Sequence, residues 1–301
     1  MLYIKRAFSE FIDDDCPMMA AAIAYYTVLS LPALLVIILT IAGYAISEQE
    51  AERAIQQQAG SYIGGGSSGA IATMMRTASE RGSAGALGTI ISALVLLIGA
   101  TTAFAQLQTA LNRAWEVAPD EQHQGVWGML RKRLLSFALI IAIAFLLLVS
   151  VAFSTTLSAA GGVAEAIFGE ASGWALWLLS TAGSFVVLTL LFGVIYKVLP
   201  DAELHWRDVL AGAAMTSALF VLGNTLLGLY LGRTDPGSGY GAAGSVVLIL
   251  LWVYYASMIV LFGAEVTQVY MNARGRQIQP RPGAVRTEAY HRRQREQRPS
   301  A

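Results

Sequence analysis

The chain has 301 residues, of which 55% are hydrophobic and only 13% are charged, and its mean hydropathy is +0.56. Globular domains carry roughly a quarter of charged residues, so this composition argues against a soluble enzyme and indicates a membrane protein. Twenty Lys and Arg balance twenty Asp and Glu, so the net charge predicts no nucleic-acid partner. The single cysteine, Cys16, excludes an intramolecular disulfide and any site that needs two thiols.

Six apolar runs are long enough to cross the roughly 30 Å hydrocarbon core of a bilayer, which takes about 20 helical residues. They cover residues 19–46, 84–106, 134–156, 174–199, 209–231 and 243–270. Each run is almost continuously apolar, which favours helices over the alternating strands of a membrane barrel. The sequence therefore predicts an all-α membrane protein, in which residues 19–270 form a bundle of six transmembrane helices.

Two segments flank the predicted bundle. Residues 1–18 form an amphipathic, acidic segment that contains the run Asp13-Asp14-Asp15, for which we expect a solvated, helix-capping role. Residues 271–301 carry eight arginines and three prolines, a composition typical of disorder. We therefore predict a disordered Arg-rich tail, which either contacts an anionic membrane surface or acts only as a solvated topology signal.

The distribution of basic residues predicts the orientation of the bundle. If the N-terminus is cytoplasmic, sixteen of the twenty Lys and Arg fall on the cytoplasmic side of the six predicted spans. Cytoplasmic flanks of membrane helices carry such an excess of basic residues. Both termini are therefore predicted to face the cytoplasm.

Several stretches of the chain are together similar to one known family. They are Met18–Pro32 (MMAAAIAYYTVLSLP), Leu107–Trp115 (LQTALNRAW), Tyr196–Asp201 (YKVLPD), Trp206–Ala213 (WRDVLAGA), Leu251–Tyr255 (LWVYY) and Phe262–Glu265 (FGAE). From about Phe8 to Tyr270 the chain resembles the YihY/BrkB family on these motifs. The resemblance implies a multi-pass protein of the bacterial inner (plasma) membrane with six helices and no established reaction. Members of this family were once labelled ribonuclease BN, and transport or lipid export has been suggested for them.

The residues argue against ribonuclease activity. A metal-dependent nuclease needs acidic or histidine ligands that converge on divalent ions. The three histidines, His123, His205 and His291, are far apart in sequence, and the Asp13-Asp14-Asp15 run lacks metal-ligand spacing. A G-x-G-x-x-G match at 239–244 follows a predicted membrane helix rather than a strand, so it predicts a turn instead of a nucleotide site. We expect no catalytic residue, no metal, no cofactor and no enzyme activity.

Two ionisable residues lie within the predicted spans, where charge often marks function. Lys197 is near the end of the fourth span, so its long side chain can reach the membrane boundary and is a candidate for binding a lipid headgroup. Glu265 lies deeper in the sixth span and is too short to reach the boundary. One helical face of this span carries Tyr254, Ser257, Leu261, Glu265 and Gln268.

Other polar residues of the spans extend this face into a candidate substrate pathway. Gly212, Thr216, Phe220 and Asn224 recur every fourth residue, so a neighbouring helix can approach the small positions closely and Asn224 can meet a polar partner. The pathway candidates are Glu265, Gln268, Asn224, Tyr25, Tyr26 and Ser257.

After the second span the helix is predicted to continue without a breaker into the cytoplasmic interface. Arg113 there either binds a lipid phosphate or sets the topology. Trp115 is predicted to anchor the helix at the membrane interface.

The polar set has two interpretations. It forms either a hydrated cavity that passes a solute or lipid headgroup, or interhelical hydrogen bonds that hold the bundle together. We predict a transporter-like protein that moves a lipid or amphipathic solute, with membrane lipids as its partners. The alternative is a non-catalytic scaffold in envelope biogenesis, which recruits envelope-assembly proteins through the tail and the first external loop; a homo-oligomer is compatible with either function.

Overall fold

The computed structural model describes residues 2–42, 50, 53, 101–120, 171–234, 244–288 and 290. Helices dominate these residues, and the strands among them are short. The helices are α1 (Leu2–Asp13), α2 (Cys16–Ala42), α3 (101–114), α4 (Ala171–Val198), α5 (Trp206–Thr234) and α6 (Gly244–Ala273). The strands are β1 (Val117–Pro119), β2 (Ala202–Glu203), β3 (Gln279–Pro280) and β4 (Ala284–Arg286).

Among the described residues, three helices are long and apolar enough to cross a membrane, which agrees with the last three predicted spans. The stretches are Thr181–Val198 in α4, Trp206–Leu227 in α5 and Val246–Ala273 in α6. In α2, which covers most of the first predicted span, Cys16–Leu31 forms a shorter apolar helix. The parts of the prediction that lie outside the described residues are the span at 134–156, most of the span at 84–106, and the turn at 239–243.

The described helices meet at one end of the bundle, which we call the basic end. It contains the N-termini of α2 and α5 and the C-termini of α1, α3, α4 and α6. Two antiparallel ladders join them, β1 with β4 and β2 with β3, so the chain after α6 pairs with the chain after α3 and after α4. An ion pair of 2.6 Å between Arg113 and Asp15 connects α3 to the start of α2. A second, of 2.9 Å between Arg276 and Asp208, connects the chain after α6 to the first turn of α5.

Residues 274–288 correct the prediction that the chain is disordered from residue 271. α6 continues to Ala273, and the next segment forms β3 and β4. Arg281 donates hydrogen bonds to the carbonyl oxygens of Lys197 and Val198, where α4 ends and its last carbonyls lack partners within the helix. The arginine content suggested solvation, but these side chains bind helix ends. Residues 291–301 of the predicted tail lie outside the described residues.

The acidic run forms the turn between α1 and α2. Asp15 has a left-handed backbone with φ of 55°, a conformation that Asp tolerates better than most residues, and it separates the two helices. Its carbonyl oxygen accepts a hydrogen bond from the Met19 backbone N–H at 3.1 Å as α2 begins. Asp14 is buried, so the expected solvated role of the run is wrong for this residue.

Glycines let α5 and α6 approach each other closely. A Cβ atom added to Gly212 of α5 would lie 1.9 Å from Thr267 Oγ1, and one added to Gly263 of α6 would lie 2.0 Å from Thr216 Oγ1. Each glycine therefore packs against a threonine of the opposite helix. Both hydroxyls donate to carbonyl oxygens of their own helices, at 2.8 Å for Thr216 and 2.7 Å for Thr267. The predicted close approach at Gly212 and Thr216 is confirmed.

Candidate functional site

Glu265 lies inside α6 and is fully buried. The thiol of Cys16, the first residue of α2, donates to Glu265 Oε1 with an Sγ–O distance of 3.6 Å. On the α3 side, the indole N–H of Trp115 donates to the carbonyl oxygen of Ala264 at 3.1 Å. The start of α2 and the end of α3 therefore enclose the part of α6 that carries the carboxylate.

Trp115 is fully buried beside this carboxylate, so the prediction that it anchors the membrane interface is wrong. Its ring packs edge-on against Tyr196 of α4, with centroids 5.7 Å apart. The Tyr196 hydroxyl donates to the Val260 carbonyl oxygen of α6 at 2.6 Å and lies 3.0 Å from Thr216 Oγ1. Because both aromatic polar groups find partners inside the bundle, they can be buried without an unsatisfied donor.

The predicted polar face of α6 points into the protein. Ser257, Leu261, Glu265 and Gln268 are all buried. Gln268 follows Glu265 by about one helical turn, or roughly 4.5 Å of rise. Its amide oxygen is buried and has no hydrogen-bond partner among the described residues.

A cavity of about 200 Å³ lies beside Gln268 at the basic end. We call it the polar cavity, because its walls include Arg6, Glu10, Glu116, Gln268, Arg286 and Tyr290. α1 contributes an ion pair of 3.1 Å between Arg6 Nε and Glu10 Oε1. Glu116 follows Trp115 in the turn after α3, where its left-handed backbone leads the chain into β1.

Arg286 of β4 is fixed in the wall of the polar cavity. One of its terminal N–H groups donates to the Trp115 carbonyl oxygen at 3.4 Å, and its guanidinium lies 4.2 Å from the centroid of the Tyr290 ring. Burial lowers the pKa of Arg286, and the neighbouring Tyr290 and Glu116 oppose this shift. An arginine guanidinium keeps its charge in proteins, so this side chain is a cation in the wall of the cavity.

Three of the predicted pathway residues lie away from Glu265. Tyr25 and Tyr26 are exposed on α2, with their rings in edge-to-face contact at 5.4 Å. Tyr25 follows Cys16 by nine residues, which corresponds to about 13 Å along the helix. Asn224 of α5 meets a polar partner as predicted, since its amide oxygen accepts a hydrogen bond from Trp252 Nε1 at 3.3 Å. Of the predicted pathway residues, Gln268 and Ser257 share the buried face of α6 with Glu265, and the other three lie elsewhere.

The two predicted headgroup residues lie at the basic end and contact the protein itself. Arg113 forms its ion pair with Asp15. Lys197 donates to the Leu204 carbonyl oxygen and lies 5.9 Å from the centroid of the Trp206 ring. Their binding of lipid stays a prediction.

The sequence did not identify the other charged groups around Gln268. Glu10 and Arg6 are four residues apart in the amphipathic segment, a spacing that indicates an ion pair on a helix but no cavity. Arg286 belongs to a segment predicted to be disordered, and Glu116 carries no distinctive pattern. Within the described part of the chain, no group of three or more His, Cys, Asp and Glu could hold a metal ion.

Residues 7–288 match the family described as virulence factor BrkB. The chain belongs to this family. The match extends past Tyr270, where the sequence resemblance ended, and includes β3, β4 and Arg286. The segment after α6 is therefore part of the family region, in agreement with its ordered contacts.

Two relatives of this BrkB-family chain are membrane proteins by name, and a third is named for a likeness to ribonuclease. A UPF0761 membrane protein of Alcanivorax borkumensis is 24% identical over 86% of this chain and 58% of its own length. A UPF0761 membrane protein of Acinetobacter baylyi is 26% identical over 89% of this chain and 61% of its own. This chain thus spans about three fifths of each. The ribonuclease-like protein YfkH of Bacillus subtilis is 23% identical over 88% of this chain and 94% of its own. No solved structure matches the chain.

Proposed function

We propose that this protein is transporter-like and moves a lipid or amphipathic solute across or within the bacterial inner membrane. The observation that carries the proposal is the position of Glu265, a fully buried carboxylate in a long apolar helix, one turn from Gln268 and the polar cavity. A charged side chain at the centre of a bilayer costs roughly 2.5 kcal/mol or more, and such residues mark substrate and proton pathways. Glu265 is therefore our candidate for the group that a substrate or a coupled proton engages.

In this proposal the bundle has six transmembrane helices, and the basic end faces the cytoplasm together with both termini. Basic residues of four separate segments support this orientation, because Arg6, Arg113, Lys197 and Arg276 belong to the chain around the basic end. Cytoplasmic flanks carry such an excess of Lys and Arg. The polar cavity then lies on the cytoplasmic side and Glu265 lies deeper in the membrane.

The remaining candidates take positions along this route. Ser257 shares the buried face of α6 with Glu265 and extends it away from the basic end. Tyr25, Tyr26 and Asn224 lie farther along the helices and are proposed to contact the substrate beyond Glu265. Arg113 and Lys197 are proposed to attract headgroups at the basic end. The chain catalyses no covalent reaction in this proposal.

Reconstitution of the purified full-length protein into liposomes tests the proposal. Lipid movement is measured with fluorescent lipids that dithionite reduces only in the outer leaflet, and solute flux is measured with a panel of amphipathic dyes. We expect protein-dependent lipid scrambling or dye flux that empty liposomes lack. If both assays match empty liposomes across broad lipid and solute panels, transport is contradicted and the scaffold in envelope biogenesis is favoured.

A further inference from the structure

Two positively charged and two negatively charged side chains line the polar cavity. Arg6 and Arg286 supply guanidinium groups, and Glu10 and Glu116 supply carboxylates. Arg6 and Glu10 form an ion pair of 3.1 Å, so the cavity has no formal net charge and presents both signs to a ligand. A ligand that carries both an anion and a cation matches both signs at once.

The two guanidinium groups favour a phosphate as the anion. A guanidinium has five N–H groups in a planar fork that fits phosphate oxygens in pairs. The contacts of Arg286 with Trp115 and Tyr290 fix its plane but use only part of this capacity. Arg6 binds Glu10 through Nε, and this bond does not use the terminal N–H groups of its guanidinium.

Gln268 favours a primary ammonium over a quaternary ammonium as the cationic group of the ligand. Its side chain is 3% exposed, lines the polar cavity, and holds an amide oxygen that lacks a hydrogen-bond partner among the described residues. A buried acceptor of this kind favours a ligand that donates an N–H group, because an unsatisfied buried acceptor costs about 1–3 kcal/mol. A primary ammonium has three such donors, whereas the quaternary ammonium of choline has none.

An apolar groove on the other flank of α1 favours a lipid as the source of this headgroup. Phe8 and Phe11 of α1 form one wall of the groove, and residues of α5 and α6 such as Leu222, Leu226 and Phe262 form the rest. Phe8, Leu222 and Leu226 are all exposed. α1 thus presents Arg6 and Glu10 to the polar cavity and its two phenylalanines to an apolar surface, as an amphiphile requires.

We propose that the polar cavity binds the headgroup of an aminophospholipid of the phosphoethanolamine type. The phosphate contacts Arg6 and Arg286. The ammonium group contacts Glu116, Glu10 and the amide oxygen of Gln268. This inference deepens the proposed function by naming the class of substrate, and it rests on that function only in treating the bound lipid as cargo.

The test is a binding measurement that needs no transport. The purified full-length protein, in nanodiscs of phosphatidylcholine, is titrated with short-chain dihexanoyl phosphatidylethanolamine, phosphatidylcholine and phosphatidylglycerol, and with O-phosphoethanolamine. We expect the ethanolamine lipid to bind about tenfold or more tightly than the other two lipids. Equal affinity for all three lipids, or binding of none, overturns the proposal. O-phosphoethanolamine binding as tightly as the lipid overturns the assignment to a lipid.

Charge-removing variants separate the two halves of the headgroup. Glu116→Gln should reduce binding of the ethanolamine lipid about tenfold and leave phosphatidylglycerol binding unchanged. Arg286→Gln should weaken both, because both lipids carry the phosphate. The exposed pair Glu203→Gln and Arg207→Gln, outside the polar cavity, provides matched controls that should bind like the wild type. Unchanged lipid selectivity in Glu116→Gln overturns the proposal.

Arg286→Gln also removes a hydrogen bond to the Trp115 carbonyl oxygen, so its melting temperature is measured alongside. If it does not fold, Arg6→Gln tests the phosphate contact from the half-exposed side of the cavity. Selective binding without any lipid movement in liposomes retains this site and contradicts the proposed transport alone. Lipid movement without selectivity for ethanolamine lipids supports the proposed transport and contradicts this binding site.

Discussion

The reciprocal contact of glycines and threonines fixes the distance between α5 and α6. Gly212→Ala would place its Cβ 1.9 Å from Thr267 Oγ1, so one of the helices must shift. Overpacking of this kind costs about 1–3 kcal/mol, and we expect a lower melting temperature in detergent. Gly193→Ala is the matched control, because the nearest atom to its added Cβ lies at 3.5 Å, an ordinary contact.

A double variant assigns the effect to this one contact. Gly212→Ala combined with Thr267→Ala removes the clashing hydroxyl and should recover part of the lost melting temperature. If Gly212→Ala melts like Gly193→Ala, or if the double variant shows simple addition of the two losses, the close approach of the helices is not as described.

The burial of some single residues could be predicted from the sequence, and that of others could not. The burial of Glu265 and of its helical face followed from the period of 3.6 residues and the length of the apolar run. The burial of Trp115 did not, because an indole suits both a membrane interface and a core with a carbonyl partner. The partner, Ala264, is 149 residues away in sequence, and no local pattern indicates it.

The helix α1 presents an exposed apolar face that continues toward the surfaces of α5 and α6. Tyr3, Ile4, Phe8 and Ile12 are each at least 50% exposed, and Phe8 lines the apolar groove with residues of these two helices. A short amphipathic helix with such a face suits the boundary between headgroups and acyl chains. We therefore expect α1 to lie in the membrane interface.

Site-directed spin labelling of the protein in liposomes measures this position. Labels at Ile4→Cys and Phe8→Cys should be more accessible to oxygen, which concentrates in the bilayer. Labels at Lys5→Cys and Ser9→Cys should be more accessible to a water-soluble nickel complex. The native Cys16 is fully buried and should label poorly. Equal accessibility of both pairs to the nickel complex would show that α1 lies in water.

The segment after α6 acts as a structural connection between helices. A chain that ends at Ala273 loses β3, β4, the Arg276–Asp208 ion pair and the contacts of Arg281 with α4. We expect its melting temperature to fall by about 5 °C or more, since each kcal/mol corresponds to roughly 2–4 °C in chains of this size. A chain that ends at Tyr290 keeps these contacts and should melt like the full-length protein. Equal melting of the two truncated chains would contradict this role.

Composition misled the prediction for this segment for a physical reason. Its arginines and prolines cannot form a core of their own, and the disorder prediction followed from that. The segment instead adds two- and three-residue strands to β1 and β2 and covers helix ends that are distant in sequence. The long apolar helices are predictable from local sequence, whereas this pairing depends on where the other helices end.

At the scale of the whole molecule, the proposed topology places the basic end in the cytoplasm. Epitope tags inserted after Ser47 and within residues 157–173 should be reached from outside in spheroplasts. Tags at the two termini should be reached only after permeabilisation. The opposite labelling would reverse the bundle and move the polar cavity to the outer face.

The central claim is that Glu265 serves transport rather than packing, and paired variants test it most directly. Lipid and solute movement in liposomes and the melting temperature in detergent are measured for Glu265→Gln and Glu265→Leu side by side. Gln preserves the shape and hydrogen-bonding capacity of the side chain, so we expect Glu265→Gln to fold like the wild type and to lose movement or its pH dependence. Glu265→Leu should also lose about 1–3 kcal/mol of stability, because it removes the acceptor of the Cys16 thiol and of any other neighbouring donor. A Glu265→Gln variant that moves substrate with the pH dependence of the wild type would contradict the claim and leave Glu265 as a packing residue.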